Sequence, residues 1–282
     1  MIYLSTGGFN FQSGYESAIS FFQNDIGKIE LSGGQHDENF FHNLSSLPSS
    51  CNLQIHNYFP PPKNPFVFNL ASTNDEIATT SLNHAYLAID LAHTLECGFY
   101  SFHAGFLLDP KIDELGHKFR IKDFTDRKIA KALFIERVGV LSSYAKKKGI
   151  KVLIENNVFS EANSKTFASN PFLMTDHLES IEIMNKTDEN VELLVDVGHL
   201  KVSSHSEGFS KSEFLESTAD FTCAYHLSEN DSLSDSNDLL HEDSWFWPYL
   251  RKDLNYYSLE DYTQEFDVLK QQIDLTRLML TI

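Results

Sequence analysis

The 282-residue sequence predicts a single (β/α)8 barrel, the TIM-barrel fold, running as one unit from residue 1 to residue 282. Three observations carry that expectation. Short runs rich in β-branched and aromatic residues alternate with longer helical patterns along the whole chain. The length suits one large core, because β/α barrels run to about 250 residues as one domain, and no Pro/Gly/Ser-rich linker or shift in composition divides it. Finally, the polar residues that close the strands are of one chemical kind.

The strands are expected at Ile2–Ser5, Lys28–Ser32, Asn52–Tyr58, Phe99–His103, Lys151–Asn156, Val191–Val197, Phe221–Leu227 and Tyr256–Glu260. The clearest helices run from about Asn74 to Cys97, from Asp126 to Lys148, and from Tyr262 to the carboxyl end. In the second of these, Phe134, Val138, Leu141 and Ala145 recur at helical spacing and mark one apolar face. Gly149 follows Lys146, Lys147 and Lys148, as a helix-ending glycine follows cations that favour the dipole; Gly98 is expected to stop the Asn74–Cys97 helix in the same way. Strand then helix, with strands apolar on both faces, implies parallel β/α architecture.

An open doubly wound sheet fits that alternation as well as a closed barrel does. The strand ends decide between them. The third strand delivers His56, the fourth His103, the fifth Glu155, the sixth Asp196 with His199 just beyond, the seventh His226 and the eighth Glu260. In a barrel these ends converge on one rim, where active sites form; an open sheet would spread them along a line too long for one site. Imidazoles and carboxylates gathered in this way suit Zn, Mn, Mg, Co or Fe as divalent ions. A single histidine at a strand end is ordinarily a polar terminus, and Glu155 after Leu153-Ile154 must be satisfied or it is costly. Six in register favour a metal site.

Composition bounds the partners. Lys and Arg total 22 against 40 Asp and Glu, a formal charge of −18. So acidic a surface repels phosphate backbones and makes nucleic acid an unexpected partner. Half of the cations fall between Lys118 and Lys151; Lys118, Arg120 and Lys122 could reach a substrate anion or form a solvated run. Cys51, Cys97 and Cys223 give an odd, unpaired set that fits a reducing cytoplasm. No signal-like amino terminus and no stretch of ~20 apolar residues is present, so a cytoplasmic protein without membrane contact is expected; a homo-oligomer stays open. Trp245 and Trp247 follow His241 after the seventh strand, where they could stack on a sugar or anchor the loop.

The chain resembles the xylose-isomerase-like TIM-barrel superfamily, which includes sugar and sugar-phosphate isomerases and epimerases and the endonuclease IV group. The matching segments are Ile29–Leu31 (IEL), Gln54–Phe59 (QIHNYF), Phe68–Ser72 (FNLAS), Phe102–Gly105 (FHAG), Leu153–Asn156 (LIEN), Val195–His199 (VDVGH), Tyr225–Asn230 (YHLSEN) and Tyr257–Tyr262 (YSLEDY). The resemblance implies a Glu, Asp, His, Glu metal set that falls on Glu155, Asp196, His226 and Glu260, with the two glutamates as acid and base. His199 would move protons, and His56, His103, His241, Trp245 and Trp247 would bind substrate. The implied activity is a divalent-metal-dependent isomerase or epimerase of carbohydrate metabolism, acting on a sugar, sugar phosphate or related polyol through an ene-diolate. The alternative is multinuclear phosphodiester hydrolysis of the endonuclease IV kind, for which His56, His103 and His199 would hold further ions. That group carries Asp-x-His after the seventh strand. Here Asp238-Leu239-Leu240-His241 departs by one residue, so His199 and His241 would hold a third ion only if Asp238 or Asp243 reaches back. One tight ion, a weaker second and no third are expected. No G-x-G-x-x-G after a strand and no G-x-x-x-x-G-K-[ST] signals a nucleotide cofactor.

Overall fold

In a computed structural model, which describes residues 1–111, 114 and 124–281, eight parallel strands close into a barrel in sequence order, with the last strand pairing back onto the first. They are β1 (Ile2–Ser5), β2 (Lys28–Leu31), β3 (Asn52–His56), β4 (Phe99–His103), β5 (Lys151–Glu155), β6 (Val191–Asp196), β7 (Thr222–Leu227) and β8 (Tyr256–Leu259). Each expected strand is present, its bounds displaced by at most two residues, as hydrogen-bonded ladders end sooner than apolar runs do. The helices around them are α1 (Gly14–Gln23), α2 (Phe40–Ser45), α3 (Asp75–Thr94), α4 (Arg127–Lys146), α5 (Glu161–Thr166), α6 (His177–Met184), α7 (Val197–Glu207), α8 (Lys211–Thr218) and α9 (Phe266–Leu280). The Lys118, Arg120 and Lys122 group lies outside the described residues.

Helix ends follow their caps. Asn74 and Asp126 accept the first amide N–H groups of α3 and α4, satisfying donors that have no partner within the helix. Gly149 adopts φ +73° after α4, and Ile150 N–H reaches Ala145 O while Gly149 N–H reaches Lys146 O, a Schellman ending. For α3 the expectation is corrected. Glu96, not Gly98, takes the left-handed conformation (φ 56°), with Cys97 N–H bonded to Ala92 O and Glu96 N–H to His93 O. The apolar face read on α4 is buried throughout, at Phe134, Val138, Leu141 and Ala145.

Two cores result. Outward strand residues such as Ile154, Val195, Tyr225 and Leu259 join the helices in the larger one. Tyr3, Leu153, Leu194, Ala224 and Tyr256 form a second, smaller cluster inside the barrel. The three cysteines are unpaired, and no described helix is long and apolar enough to cross a membrane.

One core histidine stands apart from the strand ends. His84 of α3 is buried beside the rings of Tyr58, Phe66 and Phe68, at centroid distances of 5.3, 5.5 and 5.9 Å, and its Nε2 makes no hydrogen bond. Burial lowers its pKa to about 4 from the ordinary 6.5. The unfolded chain therefore binds this proton first, and stability falls as pH drops from about 6.5 towards about 4, by up to ~3 kcal/mol. In His84→Gln the fall in the urea midpoint across that window should be shallower than in the parent; an equal slope would show that His84 is not the acid-sensitive group.

Candidate metal centre

The strand period of two determines what the barrel mouth contains. On β3 through β8, Gln54, Ser101, Leu153, Leu194, Ala224 and Ser258 point inward, and two residues later come His56, His103, Glu155, Asp196, His226 and Glu260. Side chains two apart share a face, so each strand adds one polar group to the same layer. Register completes the arrangement: His103 lies opposite Glu155, and Asp196 opposite His226.

Ligand-capable atoms of Glu155, Asp196, His226 and Glu260 all lie within 4.8 Å of one another, and the four residues are buried. His226 Nδ1 is 3.1 Å from Glu155 Oε1, 3.5 Å from Glu260 Oε2 and 3.9 Å from Asp196 Oδ2. His56, His103 and Glu155 form a second group of the same tightness, with His56 Nε2 3.4 Å and His103 Nδ1 3.2 Å from Glu155 Oε2. The supports are specific. Asp196 Oδ1 caps α7 by accepting the His199 N–H at 2.7 Å, and Asn156 Oδ1 accepts the Asp196 N–H at 2.8 Å. Glu260 Oε1 accepts from Ser5 Oγ at 3.2 Å, and His56 Nδ1 pairs with Ser101 Oγ at 2.9 Å. Gly198 is required at the start of α7, because a Cβ there would stand 2.6 Å from Ser228 Oγ and 3.2 Å from Asp196 Oδ1.

Asp196 Oδ2 and Glu155 Oε2 are buried and make no hydrogen bond. A bare carboxylate oxygen in such a place is costly, and a cation is the partner this donor set suits. Burial, reinforced by Asp235, Glu155 and Glu260 and opposed by His199, raises Asp196 well above the ordinary carboxyl range. Burial would also raise Glu155, but His103, His226 and His56 outweigh it and hold that carboxyl well below the usual range. The same contest at Glu260 is won by His226, which holds it at about 2. His226 is itself raised well above 6.5 against its burial, by Glu30, Glu260 and Glu155.

His199 stands at the edge of this layer, its Nδ1 donating to Asn156 O at 2.9 Å and its Nε2 3.2 Å from Asp235 Oδ2. Asp235 is a correction. Asp238 is exposed, occupied by a backbone bridge to Glu229 and a bond from Ser236 Oγ, and Asp243 is exposed as well. His241, Trp245 and Trp247 are not brought to the layer. His241 is exposed and its carbonyl takes the Trp247 indole N–H at 2.8 Å; Trp247 is in the main core, and Trp245 packs against it with Lys211 Nζ 4.4 Å from its ring centroid. Trp247, through the core and the His241 carbonyl, anchors this loop. A cavity of about 1010 Å3 opens beside His103 and His199, lined in part by Phe106, Leu108, Asn157, Phe172 and Asp235.

Glu30 escaped the strand-end reading, because on β2 the inward residue sits in mid-strand. It is fully buried and bonded to His226 Nε2 at 2.9 Å and to the Tyr256 hydroxyl. The available signal was a lone carboxylate between Ile29 and Leu31, the argument already applied to Glu155.

Comparison with known proteins agrees with this architecture. A family model described as "Xylose isomerase-like TIM barrel" matches residues 45–256, and the chain belongs to that family. No curated protein matches it by sequence. Among solved structures, a D-tagatose 3-epimerase-like protein superimposes with a TM-score of 0.71 at 16% identity, covering 98% of both chains. The 3-keto-D-glucoside 4-epimerase YcjR of E. coli gives 0.67 at 12% identity over 100% of this chain and 99% of that one. The probable 3-DHS dehydratase AsbF of Bacillus anthracis gives 0.61 at 16% over 98% of both. At these identities the likeness is one of fold.

Asp196→Asn keeps the oxygen that caps α7 and replaces the acid whose second oxygen is buried without a partner. The metal-free variant should melt roughly 2–8 °C above the parent, from ~1–2 kcal/mol of relieved desolvation at about 2–4 °C per kcal/mol. A lower melting temperature than the parent would show that the carboxylate is satisfied without an ion.

Proposed function

We propose that this member of the xylose isomerase-like TIM-barrel family is a divalent-metal-dependent isomerase or epimerase of a sugar, sugar phosphate or related polyol. The observation that carries this is the buried Glu155, Asp196, His226 and Glu260 group, with ligand atoms within 4.8 Å of one another and two carboxylate oxygens that no hydrogen bond satisfies. Two of the three structural neighbours named above are described as sugar epimerases or epimerase-like, which supports the substrate class. The third is described as a probable dehydratase.

When bound, the ion would polarise the substrate carbonyl and stabilise charge on the ene-diolate as a Lewis acid. The protein's own residues do the rest. Glu155 and Glu260, both ionised near neutral pH, are the candidates to take a proton alpha to the carbonyl and to return it. His199, fixed by Asn156 O and Asp235, is placed to orient a hydroxyl or relay a proton. His56 and His103 present ring edges beside Glu155 for substrate oxygens. The cavity beside His103 and His199 is lined in part by the apolar side chains of Phe106, Leu108 and Phe172.

A second reading, metal-assisted phosphodiester hydrolysis, draws on the His56, His103 and Glu155 group, which one ion does not need. The charge of −18 opposes it, since binding a phosphate backbone relies on cationic contacts. Two experiments separate the readings. Incubation of the Mn2+-loaded protein with a panel of ketoses in D2O should wash deuterium into the carbon alpha to the carbonyl, seen by NMR, and Glu260→Gln should slow that exchange at least ~100-fold with the fold unchanged. Normal exchange in Glu260→Gln would remove it from the chemistry. Cleavage of abasic duplex DNA with no exchange on any ketose would overturn the isomerase reading in favour of the hydrolase.

A further inference from the structure

Glu30 is a buried charge that the chemistry above does not use. It lies in mid-strand on β2 between Ile29 and Leu31, with no exposed surface. A carboxylate in such a place is strongly unfavourable unless it is paired and hydrogen-bonded. Its Oε2 takes both bonds: the His226 Nε2–H at 2.9 Å and the Tyr256 O–H. Neither donor is free to turn away. Tyr256 packs edge-on to Tyr3 at 5.1 Å and stacks on Phe99 at 5.3 Å between centroids. The His226 ring meets His56 edge-on at 4.7 Å.

The two nitrogens of His226 therefore face different surroundings. Nε2 looks down the barrel at Glu30. Nδ1 looks at the mouth, 3.1 Å from Glu155, 3.5 Å from Glu260 and 3.9 Å from Asp196. We propose that Glu30 is a positioning residue which, by holding the Nε2 proton of His226, commits that imidazole to bind a divalent cation through Nδ1, and that Tyr256 in turn positions Glu30. This rests on the metal-site reading of Glu155, Asp196, His226 and Glu260. A carboxylate behind a metal-binding histidine fixes the tautomer, sets the ring plane and raises the basicity of the coordinating nitrogen, and its loss typically weakens metal binding 10–100-fold. The rival role is structural: Glu30 would merely satisfy a buried ring, and its removal would cost stability without altering affinity for the ion.

The test reads the ion alone, with no substrate. Chelator-stripped parent, Glu30→Gln and Tyr256→Phe are titrated with Mn2+ by calorimetry at one pH, with circular dichroism to establish that each is folded. Glu30→Gln should bind Mn2+ about 10–100-fold more weakly than the parent. Tyr256→Phe, which removes one of the two donors to Glu30, should lose less, within about tenfold. Equal affinity in Glu30→Gln and the parent would overturn the inference and leave the metal site standing; a parent that binds no ion would instead overturn the site itself. Should Glu30→Gln fail to fold, 15N-labelled parent loaded with Zn2+ decides by NMR. A proton on Nε2 of His226 and metal on Nδ1 is expected, and the reverse assignment would overturn the inference.

Discussion

The organisation of this protein turns on one electrostatic constraint: three carboxylates, Glu155, Asp196 and Glu260, are buried at the mouth of a barrel with a fourth, Glu30, beneath them, and there are too few hydrogen-bond donors for all of their oxygens. Four imidazoles, His56, His103, His199 and His226, stand among them. Buried charges of one sign repel strongly at low dielectric and tolerate one another only when opposite charge is interleaved. Here His226 provides it for Glu30, Glu155 and Glu260 together. Asp196 has His199 Nε2 at 3.8 Å and His226 Nδ1 at 3.9 Å, and burial still drives its carboxyl towards the neutral form. Asp196 Oδ2 and Glu155 Oε2 remain there without a hydrogen bond.

The rest of the fold keeps that mouth from collapsing or dispersing. Closure of the strands in sequence order fixes which side chains meet, since a slip of one residue in any strand would turn its ligand to the helix side. Asparagines then tie the loops. Asn156 bonds to the backbone N–H and C=O of Asp196, and Asn157 donates to Ala104 O, Gly105 O and Leu173 O. Farther out, Arg127 clamps Glu179 and the carbonyls of Asn170 and Phe172, which holds the loop after α5 beside the cavity. Groups supported in this way stay close to their working geometry when substrate arrives.

Much of this was legible in the sequence, for reasons that differ by residue. The strands read correctly because parallel barrel strands are apolar on both faces and end abruptly at polar groups. His56, His103, Glu155, Asp196, His226 and Glu260 could be placed in one layer because each ends such a run, and register follows from closure. Glu30 could not be found by that rule, since its importance lies in pointing at His226 across 196 positions of chain. Asp235 was hidden for another reason: the loop after β7 makes its own turn, and no period connects it to His199. Trp245 and Trp247 show the converse limit. An aromatic pair on the catalytic side reads equally as a sugar platform or as an anchor, and the sequence does not reveal that the Trp247 indole N–H bonds to the His241 carbonyl.

The central claim is that the buried carboxylates of the barrel mouth exist to hold a cation. It is tested most directly by a crystal of the Zn2+-loaded protein measured on both sides of the zinc absorption edge. The expected result is one full-occupancy anomalous peak bonded to Glu155, Asp196, His226 Nδ1 and Glu260. Absence of any peak among these four residues at saturating Zn2+, or an ion bound elsewhere while their oxygens stay bare, would contradict it.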